Sequence, residues 1–115
     1  MHSELRRALT EAIKARDTVA VSALRSALAA IENATAVDAA QAPTPGAGPI
    51  AGAVEGLGAG EVASRVLTPD EVRAVVGAEV DQRLAAAREY ADLGRDDRAG
   101  LLRAEAAVLA AHLQP

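Results

Sequence analysis

Two histidines, four serines and two adjacent carboxylate pairs are the side chains of this sequence best suited to bond-making chemistry. His2 and His112 stand at opposite ends of the chain. A zinc site needs three or four ligands at suitable spacing, and neither histidine has a neighbour of that kind. Nucleophilic catalysis needs a Ser or Thr beside a His and an orienting acid. Ser3 is placed to cap a helix and Ser64 lies in a Gly/Pro-rich stretch, while Ser22 and Ser26 fall mid-helix with no base near them in sequence. Asp70/Glu71 and Asp96/Asp97 sit where helix starts favour negative charge, which accounts for both pairs structurally. The glycines of Gly46-Ala47-Gly48 and Gly56-Leu57-Gly58-Ala59-Gly60 lack a preceding strand, a Lys-Ser/Thr and the spacing of either phosphate-loop fingerprint. With no cysteine there is neither a disulfide framework nor thiol chemistry. No catalytic centre, metal site or cofactor site is expected.

Polar residues with a possible binding role are concentrated near the N-terminus. Residues 1–35 hold five cations (Arg6, Arg7, Lys14, Arg16, Arg25) against four acids (Glu4, Glu11, Asp17, Glu32), a local +1 within a total of −4. The acidic total argues against non-specific binding to DNA or to an acidic membrane, which requires a basic surface. Aromatics for stacking are missing among the cations, so an RNA contact would be to backbone or shape, through Lys14, Arg16 and their neighbours. Arg25 offers either a structural salt bridge or a ligand contact. Asn33 either caps its helix or meets a partner. Glu105, which interrupts an apolar stripe, has Arg25 or Arg83 as partners, or a place at the rim.

The elements that must position these residues are helical. Alanine fills 30 of 115 positions, there is no Phe or Trp, and Tyr90 is the one aromatic. Alanine loses no side-chain entropy in a helix, and the β-branched and aromatic enrichment of strands is lacking outside a few valines. Leu5, Ala8, Leu9, Ala12 and Ile13 mark one buried face of a helix over 3–16 with Ser3 at its N-cap. Asp17 and Thr18 supply a second cap, and Val21, Leu24, Leu28 and Ile31 carry a helix over 18–34. So short a connection makes either a hairpin or an L. Residues 36–66 hold six of the nine glycines and three of the five prolines, the composition of a linker, ordered in part at most. Ile50, Val54, Leu57 and Val62 suggest a short helical turn near 51–57.

Thr68-Pro69-Asp70-Glu71 is a capping box with Pro at the first helical position. It opens a helix over 69–93 whose stripe is Val72, Val75, Val76, Val80, Leu84, Ala87 and Ala91, closed by Gly94 as a left-handed cap. Asp96 or Asp97 caps a last helix over 97–113, with Leu101, Leu102, Glu105, Val108, Leu109 and Leu113 along its stripe. The reading is a single all-α domain, 1–115, of about four helices in a small multihelical array. Low aromatic mass makes its core marginal, a condition that self-association into a homo-oligomer or a bound partner relieves. The start, MHSELRRALTEAI, lacks the apolar core of a secretory leader, and no stretch approaches a membrane span, so a cytoplasmic location is expected.

Ala12-Ile13-Lys14-Ala15-Arg16-Asp17, Val21-Ser22-Ala23-Leu24-Arg25-Ser26 and Ala29-Ala30-Ile31-Glu32-Asn33-Ala34 resemble the opening of the GatB/YqeY-like family. Leu67-Thr68-Pro69-Asp70-Glu71-Val72, Gly94-Arg95-Asp96-Asp97 and Glu105 through Leu113 follow in the family's order. The resemblance implies an all-helical fold, similar to the C-terminal helical and tail region of the B subunit of glutamine-dependent aspartyl/glutamyl-tRNA amidotransferase. That region contacts tRNA, while the transamidation chemistry resides elsewhere. A carbon–nitrogen ligase activity with glutamine as amido donor would follow from the family name, but the chain has no room for an ATP site or a glutaminase. The resemblance therefore implies a non-catalytic binding module whose partner is tRNA or a translation-related protein. Lys14, Arg16, Arg25 and Asn33 are its candidate contact residues. The alternative is a protein-interaction or self-association module without an RNA role. Two departures stand out: the family's further C-terminal helical subdomain is lacking after Leu113-Gln114-Pro115, and the linker is longer than is typical.

Overall fold

The computed structural model describes residues 1–41 and 66–115. Among these residues there are four α-helices and no strand: α1 (His2–Ala15), α2 (Thr18–Gln41), α3 (Pro69–Asp92) and α4 (Asp96–Ala111). The small multihelical array read from composition and periodicity is thus the fold. Ile50, Val54, Leu57 and the helical turn expected near 51–57 lie outside the described residues.

Helix ends follow local chemistry. At α3 both halves of the capping box form, with Glu71 N–H donating to Thr68 Oγ1 at 3.1 Å and Thr68 N–H to Glu71 Oε1 at 2.9 Å. Its far end closes through Gly94 at φ 75°, where the amide of Arg95 reaches the Tyr90 carbonyl at 2.8 Å and that of Gly94 the Ala91 carbonyl at 3.0 Å. Those two bonds satisfy the carbonyls a helix end leaves open.

Several boundaries differ from the sequence reading. Helix α1 starts at His2 with Met1 at the cap, because Leu5 N–H bonds the Met1 carbonyl at 2.9 Å; Ser3 lies inside the first turn and makes no side-chain cap. Helix α2 runs to Gln41 instead of 34. Ala34, Ala36, Ala39 and Ala40 favour helix, and the first breaker is Pro43. Helix α4 is capped by neither Asp96 nor Asp97, which occupy its first turn; Arg95 stands at the N-cap without a side-chain bond. Closing α3 through Gly94 makes Arg95 the hinge between both helices, one residue too early for an aspartate cap. Helix α4 also ends at Ala111, and Leu113 follows in a turn bonded to the Ala110 carbonyl at 3.0 Å.

Between α1 and α2 the chain reverses over Arg16 and Asp17. Arg16 adopts φ 57°, ψ 35°, its amide on the Ile13 carbonyl at 3.1 Å, and Asp17 N–H reaches the Ala12 carbonyl at 3.0 Å. Asp17 Oδ1 accepts from Ala20 N–H at 3.1 Å, the cap expected of it. His2 shares a cleft with Ile31, Glu32 and Thr35, so α1 returns along α2. Of the two geometries left open by the sequence, the hairpin is the one formed.

The core joins Leu5 and Ala12 of α1, Ala20, Ala23, Leu24, Ala27 and Ile31 of α2, Val72, Val76 and Val80 of α3, and Ala106 and Leu109 of α4, with Leu67 beside them. Alanines spaced three and four apart along α2 allow close backbone approach at the cost of little buried area each. Helix α2 touches all three others; α3 and α4 pair with each other, while α1 rests chiefly on α2. Leu84 and Leu101, read as stripe residues, are exposed, and Ala99 and Ala106 are buried on α4 instead. A stripe about 100° wide spans more than the strip a neighbouring helix covers, so its margins stay in solvent.

Candidate functional site

One polar cluster is buried. Arg83 Nε donates to Glu105 Oε1 at 3.0 Å and its Nη1 to Glu79 Oε1 at 3.0 Å, while Ser26 Oγ donates to the same Glu79 oxygen at 2.8 Å. The side chains of Arg83, Glu79 and Glu105 are only 12–14% exposed. One cation thus joins two carboxylates and a hydroxyl from α2, α3 and α4. All three charged groups are satisfied by each other and are largely buried, so this is a fastening of the fold. It settles Glu105's partner as Arg83. Ser26 is occupied by Glu79, with no histidine in the cluster.

The remaining chemistry-bearing residues are dispersed. Asp70 and Glu71, like Asp96 and Asp97, occupy first helical turns. His112 follows the last turn of α4. Among the described residues no group of three or more His, Asp or Glu is arranged to hold a metal ion. His2 lines an apolar cleft of about 340 Å³ with Ile31, Glu32, Thr35, Val66, Leu67 and Val72, and its Nε2 is buried without a hydrogen-bond partner.

The arrangement with binding character lies at the α1–α2 elbow. Ile13 and Arg16 from the end of α1, and Thr18, Val21, Ser22 and Arg25 from the first two turns of α2, line a cleft of about 620 Å³. The four α2 residues are at i, i+3, i+4 and i+7, one helical face. The αL conformation of Arg16 turns the chain sharply enough for that face to meet the end of α1. Arg16 and Arg25 are both exposed and form no ion pair within 4 Å among the described residues. Asp17, the nearest acid in sequence, has its carboxylate on the Ala20 amide. The cleft therefore presents two guanidiniums, two hydroxyls and an apolar floor of Val21 and Ile13, the latter 49% exposed. Planar guanidiniums suit bidentate contact with a phosphate or carboxylate.

Of the four contact residues expected from sequence, the structure brings Arg16 and Arg25 together. Lys14 pairs loosely with Glu11 at 3.6 Å on the exposed face of α1 and does not line the cleft. Asn33 is exposed within α2, some 12 Å along the axis from Arg25 at ~1.5 Å per residue, and caps nothing because the helix continues past it. Among the described residues Arg25 has no carboxylate within 4 Å, so the structural salt bridge weighed for it is not seen there. Thr18, Val21, Ser22 and Ile13 were not read as site residues. Hydroxyls alternating with an apolar residue at helical spacing just after the Asp17 cap were the available signal.

Comparison of the chain with protein-family models, curated proteins and solved structures gives no significant match. No described helix is long and apolar enough to cross a membrane.

Proposed function

We propose that this protein is a non-catalytic helical module that binds RNA, tRNA foremost, through the α1–α2 elbow, and so serves translation or tRNA amidation in the cytoplasm. The observation that carries this reading is the pair Arg16 and Arg25, two guanidiniums at one cleft without carboxylate partners among the described residues. Arg6 and Arg7, exposed and without an ion pair among the described residues, add cations along α1. The resemblance to a tRNA-contacting tail points to the same ligand. An acidic whole with a basic elbow binds locally and releases few counterions, so the contact is salt-sensitive and modest in strength.

Titration of labelled total tRNA at low and at moderate salt tests this. Micromolar binding is expected, with Arg16→Ala and Arg25→Ala together weakening it about tenfold or more and reducing the salt slope by roughly two counterions. No binding at tens of micromolar protein, or a double variant that binds like the parent, would sink the reading.

A second reading, association with a protein or a second copy of the chain, draws on the exposed leucines of the α3–α4 pair. Leu93 is 74% exposed, and Leu84 and Leu101 are exposed with it. Sedimentation across a wide concentration range distinguishes the two, since a strict monomer removes the self-association form.

A further inference from the structure

We infer that the elbow cleft receives a single nucleotide turned out of its strand, with the phosphate on Arg16 and Arg25 and the base over Ile13 and Val21; this rests on the RNA reading above. A site made only for backbone phosphates needs cations and no apolar surface beside them. This one is an open, shallow cleft of about 620 Å³ in which apolar side chains lie beside the cations. Its floor is apolar, and Ile13 stands 49% exposed there although α1 has a core to enter. Thr18 and Ser22 place hydroxyls on the α2 side, suited to base edges or a ribose 2′-OH. Bases within a duplex are stacked and present no free face, whereas a single strand offers one at each position.

Tyr90, the sole aromatic, is far along the chain on α3, its ring centroid 5.8 Å from the Arg98 guanidinium. Stacking at the elbow therefore falls to aliphatic side chains and to the guanidinium planes themselves, which lie flat on bases as aromatics do. Arg16 is also the left-handed cap of α1 and lines the cleft. A glycine there would keep the turn while removing the guanidinium, which separates the two roles.

The experiment uses the full chain and fluorescence anisotropy with a single-stranded RNA of about a dozen nucleotides, the same sequence as a duplex, total tRNA, and a nucleoside monophosphate as competitor. The single strand is expected to bind about tenfold more tightly than the duplex, and Ile13→Ser to lower affinity for the single strand several-fold while circular dichroism confirms its helices. Arg16→Gly is the decisive variant: its melting temperature rises while its affinity for the single strand falls. Equal affinity for strand and duplex with tRNA binding intact overturns the inference and leaves the RNA reading standing. An Arg16→Gly variant that binds like the parent also overturns it, since Arg16 would then merely close the hairpin. A free monophosphate that binds as tightly as the strand overturns the strand as the source of the nucleotide. Loss of tRNA binding in the parent removes both readings.

Discussion

At Arg16 the backbone turns through φ 57°, ψ 35°, where the Cβ of an L-residue crowds the following carbonyl. That crowding costs ~1–2 kcal/mol, and a glycine there would give back ~0.5–1 kcal/mol through the greater freedom of the unfolded chain. Arg16→Gly is therefore expected to stabilise the fold by about 0.5–1 kcal/mol in urea denaturation. A loss of stability would mean that the guanidinium has a structural contact within the protein. Arg83 poses the opposite case. Replacing it with Met keeps the stem but leaves Glu79 and Glu105 facing each other with Ser26 as their one donor. The expected loss is about 2–4 kcal/mol. Glu105→Leu leaves Arg83 still paired with Glu79 at 3.0 Å and is expected to cost distinctly less. If the two variants lose equal stability, or Glu105→Leu loses more, Arg83 is not the centre of the cluster.

Among the helices, those with strong local signals were legible to within a residue or two. Thr68-Pro69-Asp70-Glu71 announced the start of α3 and Gly94 its end, because each residue there satisfies a backbone group or a dihedral demand of its own neighbourhood. Thr68→Ala removes the acceptor for the Glu71 amide and is expected to cost about 1 kcal/mol of unfolding free energy, read from the urea midpoint at unchanged slope. An unchanged midpoint would show that solvent replaces the cap without loss. The end of α2 was less legible, since alanine carries no stop signal and the helix runs on until Gln41. The site was half legible for a related reason. Arg16 and Arg25 could be singled out by charge, but their joint cleft exists only because the hairpin forms, and the choice between hairpin and L depends on tertiary packing. Ile13 and Val21 fit a buried stripe by period; which part of that stripe a neighbouring helix covers is beyond any local rule.

Across the whole molecule the helices are unequally secured. Helix α2 lies against each of the others, α3 and α4 embrace each other, and α1 is held mainly by α2. The Ser26–Glu79–Arg83–Glu105 cluster fastens α2, α3 and α4 together and omits α1. Arg73, whose guanidinium donates to the Leu113 carbonyl, adds a further tie between α3 and the end of α4. Helix α1 depends instead on Leu5, fully buried, and on Ala12, with Met1, Ala8 and Leu9 packed against the core beside them. It should therefore be the first unit to open, with its amides exchanging hydrogen faster than those of α3 and α4. Leu5→Ala removes the most deeply buried side chain of α1 at a cost of ~2–5 kcal/mol, enough to loosen a helix that the polar cluster does not hold. The expected result is a variant whose α3–α4 amides remain protected while α1 exchanges freely. The RNA affinity proposed for the elbow should fall with it, since Ile13 and Arg16 would no longer be held opposite Thr18, Val21 and Arg25. Uniform loss of protection across all four helices would show instead that α1 folds as one unit with the rest, and the elbow would then be as rigid as the core.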